Sequence, residues 1–366
     1  MDTPHNISIA QPDITELELK YITQAVKSNE LSSQGFFVNK FEKSFADFCE
    51  AKYATTCMNG TVALHLALIG VGVCAHDEVI VPALTYVSTA NAVVHAGGTP
   101  VFVDVHPDHW GMDPEEVRKK ITPKTKAIIA VHLYGHPADM DPLLEICKEF
   151  GIKLIEDAAE AHGAKYKGKT VGSIGSVGTF SFFGNKILTT GEGGMVTSND
   201  QEIVDKINIY KNHGNNPNKR YFHKVIGYNY RMTNLQAAIG LAQVERAHEI
   251  LAKKRAIAKL YNAGLKNLPL KVQPNMTWAE PVNWMNCIVL DDTTLPRDQM
   301  QSDLMKLGID TRPFFEPIPY LDIYGNSGYF PISKKLSSRG INLPSSSKLQ
   351  EDEISYIISA ITNILT

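Results

Sequence analysis

Short apolar runs alternate with amphipathic segments along the first half of the chain. The apolar runs predict β-strands at residues 53–58, 78–81, 100–104, 127–131 and 153–155. Between them, apolar residues at helical spacing predict helices at residues 62–70, 86–95, 113–121 and 139–150. Strands that alternate with helices in this way are typical of a mainly parallel sheet covered by helices on both faces. The pattern therefore predicts an α/β fold.

Helical periodicity also predicts elements on either side of this alternation. Two helices precede it, one at residues 13–27 with Asp13 as its N-cap and one at residues 36–50. Further along, residues 201–213 read as a helix, and residues 233–265 predict one long helix.

The chain beyond about residue 270 has a different pattern, in which strands, helices and proline-rich turns are mixed. This mixture is typical of an α+β unit. We therefore expect a large α/β domain at residues 1–245, including the N-terminal helical segment, and a smaller C-terminal α+β domain at residues 246–366.

Composition narrows the class of protein. The chain has 366 residues, 43% of them apolar, and a formal net charge of −3, which argues against a nucleic-acid partner because such a partner requires clustered Lys and Arg. Apolar runs of about 18 residues, the length that spans a membrane, are not seen, nor is a signal-peptide pattern at the N-terminus. The five cysteines are scattered without a C-x-x-C pair, which is typical of reduced core cysteines. We expect a cytoplasmic protein with no membrane and no nucleic-acid partner.

One lysine lies in a glycine-rich loop between two apolar segments. Residues 177–198 read V-G-T-F-S-F-F-G-N-K-I-L-T-T-G-E-G-G-M-V-T-S, in which Val177 to Phe183 and Met195 to Ser198 predict strands. Burial beside the two phenylalanines would lower the pKa of Lys186 and make its neutral amine nucleophilic, as Schiff-base formation requires. The alternatives are a surface lysine and a phosphate loop, and the G-x-x-x-x-G-K-[ST] spacing of the latter is absent.

An acidic pair follows the predicted strand at residues 153–155. Glu156 and Asp157 lie at the carboxyl end of that strand, and open α/β sheets bind ligands at the carboxyl ends of their strands. A buried aspartate there needs a cationic partner. A protonated pyridine nitrogen is such a partner.

The segments around these residues resemble a known enzyme family. E-D-A-A-E-A-H-G, followed by T-F-S-F-F-G-N-K-I-L-T-T-G-E-G-G-M-V, resembles the sugar aminotransferases of the DegT/DnrJ/EryC1/StrS family, which use pyridoxal 5′-phosphate (PLP). The resemblance runs from about Ile9 to the C-terminus. It implies the aspartate aminotransferase fold (PLP fold type I), PLP as cofactor, and pyridoxamine phosphate as its form between two half-reactions.

The resemblance also implies a substrate class. The segment S-F-F-G-N-K-x-x-T-x-G-E-G-G is most similar to family members that make GDP-perosamine. It implies transamination at C4 of a nucleotide-linked 4-keto-6-deoxyhexose with L-glutamate as donor, with GDP-4-keto-6-deoxy-D-mannose as the expected substrate, in O-antigen or surface polysaccharide biosynthesis. dTDP- and UDP-linked 4-keto sugars stay open as alternatives.

Two other functions fit the same family. Its C3-dehydratase branch carries histidine where Lys186 stands, so the lysine argues against that reaction. A regulatory protein that binds PLP without turnover would need a DNA-binding or sensor segment, and the sequence shows none.

The resemblance assigns the cofactor contacts residue by residue. Lys186 would hold PLP as a Schiff base and then move protons, and Asp157 would pair with the pyridinium nitrogen. Tyr86 would stack on the ring. Glu160 would contact the ring hydroxyl, where two negative charges would repel each other unless one group is protonated.

The cofactor phosphate would lie at a helix start. Asn59-Gly60-Thr61 follows a predicted strand and opens a helix, and helix N-termini favour anions. The resemblance implies that Gly60, Thr61 and the Ser181 side chain hold the phosphate. Asn59 stands where many family members have serine.

Three further residues are expected to contact the cofactor phosphate or the substrate. The segment G-Y-N-Y-R-M resembles a family segment that reaches the neighbouring subunit's active site, so Asn229 would contact the partner's PLP phosphate and Arg231 the anionic substrate or donor. Arg312 would grip a diphosphate or the donor carboxylate. A homodimer with shared active sites follows from this resemblance.

A metal site is not expected. His132 and His136 are four residues apart, but Gly135 and Pro137 disfavour a helix that would align them, and no third ligand is evident.

Overall fold

The computed structural model describes residues 6–366. In chain order, its helices are α1 Glu16–Lys27, α2 Phe36–Cys49, α3 Gly60–Val71, α4 Ser88–His95, α5 Pro114–Lys120, α6 Met140–Phe150, α7 Gln201–Lys211, α8 Asn234–Glu245, α9 Ala247–Leu265, α10 Arg297–Lys306, α11 Pro331–Arg339 and α12 Glu351–Leu365. The strands are β1 Tyr53–Cys57, β2 Glu78–Pro82, β3 Thr99–Val103, β4 Thr125–Val131, β5 Lys153–Asp157, β6 Lys165–Tyr166, β7 Lys169–Thr170, β8 Val177–Ser181, β9 Gly194–Ser198, β10 Asn215–Asn216, β11 Lys219–His223, β12 Leu270–Val272, β13 Ala279–Glu280, β14 Asn286–Leu290, β15 Arg312–Pro313 and β16 Gly340–Leu343.

The first half of the chain builds a seven-stranded sheet in the order β1-β9-β8-β5-β4-β2-β3. The pairs β3/β2, β2/β4, β4/β5 and β5/β8 are parallel, and β9 runs antiparallel to both of its neighbours. The mainly parallel sheet predicted from the alternation is therefore confirmed. The carboxyl ends of the parallel strands all reach one edge, where ligands bind in sheets of this kind.

The first helix begins later than the sequence predicts. Thr15, not Asp13, is its N-cap, because Thr15 and Glu18 form a reciprocal capping box. The Asp13 carboxylate accepts a hydrogen bond of 2.8 Å from the Arg246 guanidinium instead. The prediction of Asp13 as the cap was wrong because its partner lies far away in the sequence.

The single long helix predicted for residues 233–265 is also wrong. The chain leaves helical geometry at Arg246 (φ −98°, ψ 1°), which separates α8 from α9. At this break the Arg246 side chain binds the buried carboxylates of Asp13 and Glu18, at 2.8 and 3.0 Å. The break lies beside the expected domain boundary after residue 245, and that boundary stays a prediction.

A second sheet of four antiparallel strands, β12-β14-β16-β15, lies in the C-terminal part of the chain. Helices α9, α10 and α12 contribute apolar side chains to its core, including Ile257, Leu304 and Ile357. Ile7 joins the same core and forms a parallel bridge with Ile309. Within residues 6–366, no helix combines the length and apolar content needed to span a membrane.

Candidate active site

A cavity of about 380 Å³ lies at the carboxyl edge of the large sheet. It is bounded by the ends of β4 and β5, the start of α3, the segment before α4 and the loop between β8 and β9. Among its lining residues are Gly60, Thr61, Tyr86, Asp157, Glu160, Ser181 and Lys186. The fold thus gathers into one space the seven cofactor residues that are expected from the sequence in the same subunit.

Local hydrogen bonds fix the loop that carries Lys186. Phe182 and Thr190 pair across its base, with the Thr190 N–H donating to the Phe182 carbonyl at 2.9 Å. The Lys186 N–H closes a turn onto the Phe183 carbonyl, also at 2.9 Å. From the C-terminal part of the chain, the Trp284 indole N–H donates to the Asn185 carbonyl at 2.8 Å. Lys186 is therefore held at a defined place on the cavity wall.

The Lys186 amine lies among two acids and an aromatic ring. Its Nζ is 3.8 Å from Glu160 Oε1 and 3.9 Å from the centroid of the Trp284 ring. Burial lowers the pKa of Lys186, while the charges of Glu160 and Asp157 act in the opposite direction. A lowered pKa increases the share of neutral amine, the form that attacks a carbonyl.

Asp157, the last residue of β5, is fixed through both carboxylate oxygens. Oδ2 accepts from the Thr89 hydroxyl at 2.9 Å and Oδ1 from the Ala159 N–H at 3.2 Å. Burial raises the pKa of Asp157, which the Thr89 hydrogen bond partly offsets. A carboxylate desolvated in this way is a strong partner for a cation that enters the cavity.

Glu160 carries a proton more readily than an ordinary glutamate. Burial raises its pKa to about 7, against the opposing effect of the Lys186 charge. Its Oε2 accepts from the Tyr134 N–H at 2.7 Å, and Tyr134 adopts left-handed backbone geometry (φ 53°, ψ 20°). A carboxyl group that is half-protonated near neutral pH can donate a hydrogen bond to a neighbouring anionic oxygen.

The start of α3 forms the opposite wall of the cavity. The Asn59 side chain caps this helix by accepting from the Val62 N–H at 2.9 Å, and the hydroxyls of Thr61 and Ser88 are 2.9 Å apart. A Cβ at position 60 would lie only 2.7 Å from Ser181 Cβ. Glycine is therefore needed for the helix start to approach Ser181 this closely. The helix dipole, the hydroxyls and this close approach suit a phosphate group.

Tyr86 lies at the cavity mouth, before α4 rather than within it. It is 56% exposed, and its ring centroid is 5.6 Å from that of Phe315. An exposed ring in this position is available to a flat ligand.

His162 and Glu156 contact other parts of the protein and do not line the cavity. His162 is fully buried against the rings of Phe45, Phe180 and Phe182, which agrees with packing as its role. Glu156 accepts hydrogen bonds from the backbone N–H groups of Gly172, Ile174 and Gly175 at 2.7–2.8 Å.

The histidine pair also takes part in local contacts. His132 Nδ1 accepts from the Ala138 N–H at 3.0 Å, so its Nε2 carries the proton and donates to Glu156 at 3.1 Å. His136 Nδ1 faces the Pro137 carbonyl at 2.7 Å. In the described part of the chain no group of three or more His, Cys, Asp or Glu side chains is arranged to hold a metal ion.

Asn229, expected at the partner's cofactor phosphate, and the two expected substrate arginines lie elsewhere in this chain. Arg231 donates to Asn229 Oδ1 at 2.8 Å and contacts His213 Nε2 at 3.2 Å. Arg312 pairs with Asp310 and donates to the Thr311 carbonyl at 3.1 Å. None of the three lines the described cavity, so their roles stay predictions.

Several residues of the cavity were not found from the sequence. Thr89 fixes Asp157 from 68 residues away, Trp284 contacts Lys186, and Phe315 packs on Tyr86. Thr89 follows Tyr86 at the start of a predicted helix, which is a weak signal. Phe315 ends the segment T-R-P-F-F, which resembles a substrate-side segment of the family, but its contact with Tyr86 has no local signal. Trp284 comes from a distant part of the chain, and no local pattern marks it.

Comparison with known proteins gives matches over almost the whole chain. Residues 12–362 match the family model described as the DegT/DnrJ/EryC1/StrS aminotransferase family. A GDP-perosamine synthase of Escherichia coli O157:H7 is 45% identical over 356 residues, which cover 97% of each chain. One of Caulobacter vibrioides is 44% identical over 364 residues, 98% of each chain.

The fold has solved counterparts. The putative sugar aminotransferase Spr1654 from Streptococcus pneumoniae, in its PMP form, superposes with a TM-score of 0.93 at 29% identity, covering 98% of each chain. The expected aminotransferase fold is therefore confirmed.

Proposed function

We propose a function from one premise, that the chain belongs to the DegT/DnrJ/EryC1/StrS aminotransferase family. It is a PLP-dependent aminotransferase that converts GDP-4-keto-6-deoxy-D-mannose to GDP-perosamine, with L-glutamate as amino donor. The sugar assignment is supported by the two GDP-perosamine synthases that share 44–45% of their residues with it over 97–98% of both chains.

One observation carries the proposal: a largely desolvated lysine and a buried aspartate face the same cavity at the carboxyl edge of a parallel sheet. Lys186 and Asp157 come from different elements, the β8–β9 loop and the end of β5, and both line the cavity. The first supplies an amine, and the second is a carboxylate held by hydrogen bonds from Thr89 and Ala159, with the Lys186 charge favouring its ionised form. The amine would react with the aldehyde group of a pyridine aldehyde, and the carboxylate would pair with its ring nitrogen.

The residues present fit PLP. When bound, PLP supplies an electron sink that stabilises negative charge on the amino-bearing carbon. Asp157 would hold the protonated pyridine nitrogen, its orientation set by Thr89 and Ala159. Gly60, Thr61 and Ser181 would hold the phosphate at the start of α3.

Lys186 has two tasks in this reaction. Its Nζ would hold the cofactor covalently, and the same nitrogen, once free, would move a proton at the amino-bearing carbon. The lowered pKa favours both tasks, because each needs the amine to give up its proton near neutral pH.

Glu160 would donate its proton to the ring hydroxyl oxygen of the cofactor. Its pKa of about 7 lets it do so at neutral pH, which removes the charge repulsion that an ionised pair would suffer. This assignment stays a proposal, as do those of Tyr86 and the phosphate-side residues.

The homodimer is proposed on charge grounds as well as by family resemblance. The described lining includes Asp157, Glu160 and Glu192, and Lys186 is its one basic side chain. A nucleotide diphosphate is anionic, so more positive charge must reach the cavity. Asn229 and Arg231 of a second copy would supply contacts to the phosphate and to the substrate.

The test is a product assay with purified protein and PLP. We expect L-glutamate and GDP-4-keto-6-deoxy-D-mannose to give a GDP-linked amino sugar, identified by mass and NMR, at a kcat/KM well above that for dTDP- and UDP-linked 4-keto sugars. Preference for a dTDP or UDP sugar would replace the substrate and keep the reaction. Failure of glutamate to convert the bound cofactor would favour the regulatory alternative.

A further inference from the structure

We infer that Trp284 is a positioning residue for Lys186, holding the lysine loop through its indole N–H and the lysine amine through its ring. Its meaning for catalysis rests on the proposed function, but the contacts do not. Trp284 lies just before β14 in the C-terminal part of the chain, about a hundred residues from the loop that it touches.

The indole makes two contacts with adjacent loop residues. Its N–H donates to the Asn185 carbonyl at 2.8 Å, and its ring centroid is 3.9 Å from Lys186 Nζ. The side chain is buried, with 6% exposure of the residue. A buried N–H without that carbonyl would cost free energy, so the ring position and the loop position are tied together.

The backbone of Trp284 is itself anchored from two sides. Lys254, buried in α9, donates to the Trp284 carbonyl at 2.7 Å and also to the Ser345 carbonyl. Two residues earlier, the Val282 N–H donates to the Gly135 carbonyl at 3.0 Å, beside the Tyr134 that binds Glu160. The ring therefore links the lysine loop to the C-terminal part of the chain, so that a shift of one would move the other.

The ring also acts on the charge of Lys186. An aromatic face favours an ammonium group over a neutral amine, so Trp284 opposes the effect of burial. The other charged or titratable groups near Lys186 are Glu160, Asp157, His162 and Glu192, from the end of β5, the segment after it and the loop itself. Unlike the acids, the ring holds the amine without becoming ionised.

The test measures Lys186 directly in protein stripped of cofactor. Competitive labelling of lysine amines at a series of pH values, followed by peptide mass spectrometry, gives the pKa of Lys186. We expect Trp284→Leu to lower that pKa by about half a unit to one unit, and Trp284→Phe, which keeps a ring, to lower it by less. Trp278→Leu is the matched control, because Trp278 packs on His109, His136 and Tyr166 away from this loop.

A second readout follows the loop. Hydrogen exchange of the peptide containing residues 183–188 should speed up in Trp284→Phe, which lacks the N–H to Asn185, and should be unchanged in Trp278→Leu. If Trp284→Leu does not fold, the hydrogen exchange of residues 183–188 in Trp284→Phe tests the inference alone. An unshifted Lys186 pKa in a folded Leu variant, unchanged exchange in the Phe variant, or an equal shift in the Trp278 control would overturn the inference. Because neither readout needs PLP or turnover, failure of the proposed function would leave these results standing.

Discussion

Lys186 and Lys254 both lie largely out of solvent, the Lys186 side chain with 13% exposure and Lys254 with 4%, but only Lys186 lines the cavity. Burial lowers the pKa of both, that of Lys254 to about 7. Lys186 lies on a loop and faces Glu160, Asp157 and an open cavity. Lys254 lies within α9 and donates to the carbonyls of Trp284 and Ser345, with 4% exposure. Burial thus lowers the pKa of both amines. Whether such an amine reacts with a ligand or only donates hydrogen bonds to the backbone depends on whether it faces a cavity.

Replacing each lysine should separate these two roles, with the largest effect at Lys186. We expect Lys186→Ala to lower kcat by about 10³-fold or more, because both the covalent link and the proton transfer are lost. Lys254→Met should keep kcat within about tenfold in protein that remains folded, because the methionine side chain has a similar length and lies outside the cavity. Steady-state rates of amino-sugar formation test both. Full turnover by Lys186→Ala would contradict the mechanism.

The same contrast holds for the adjacent acids at the end of β5. Asp157→Asn removes the anion that faces the cavity, and we expect kcat to fall by about 10²-fold. Glu156→Gln, its neighbour, should lower the melting temperature instead, since Glu156 accepts from three backbone N–H groups. Kinetics of the folded variants and thermal unfolding distinguish the two. Equal losses of kcat would show that the site tolerates no change at either acid.

The smallest expected effect is on how the free energy of unfolding changes with pH. A lysine whose pKa is about 7 when folded and 10.5 when unfolded binds fewer protons in the folded state between those values. Its contribution to stability therefore rises with pH across that window, by at most about 1.4 kcal/mol per unit. Lys254→Met should flatten the rise in the free energy of unfolding between about pH 7 and 10, as measured by urea denaturation. An unchanged slope would mean that Lys254 is charged in the fold.

The sequence predicts those parts of the molecule that depend on neighbours along the chain. Lys186 with its flanking glycines, Asp157 at a strand end and Gly60 at a helix start each lie in a short segment whose pattern is legible. Arg246, where the predicted long helix breaks, and Asp13, the predicted cap, are joined by one contact across 233 residues that no local pattern shows. Thr89 and Trp284 join the site in the same way, through folding rather than spacing. The periodicity of apolar residues predicts which face of a helix or strand is buried. It does not predict which distant residues pack against that face.

The most direct test of the contrast between the two lysines is to trap the cofactor chemically. Protein loaded with PLP is reduced with borohydride, digested, and searched by mass spectrometry for pyridoxyl-lysine. We expect the label at Lys186 and none at Lys254, with loss of the label when L-glutamate is added before reduction. A label at Lys254, or loading without any label at Lys186, would contradict the central claim that access and neighbouring acids, rather than burial alone, make Lys186 the reactive amine.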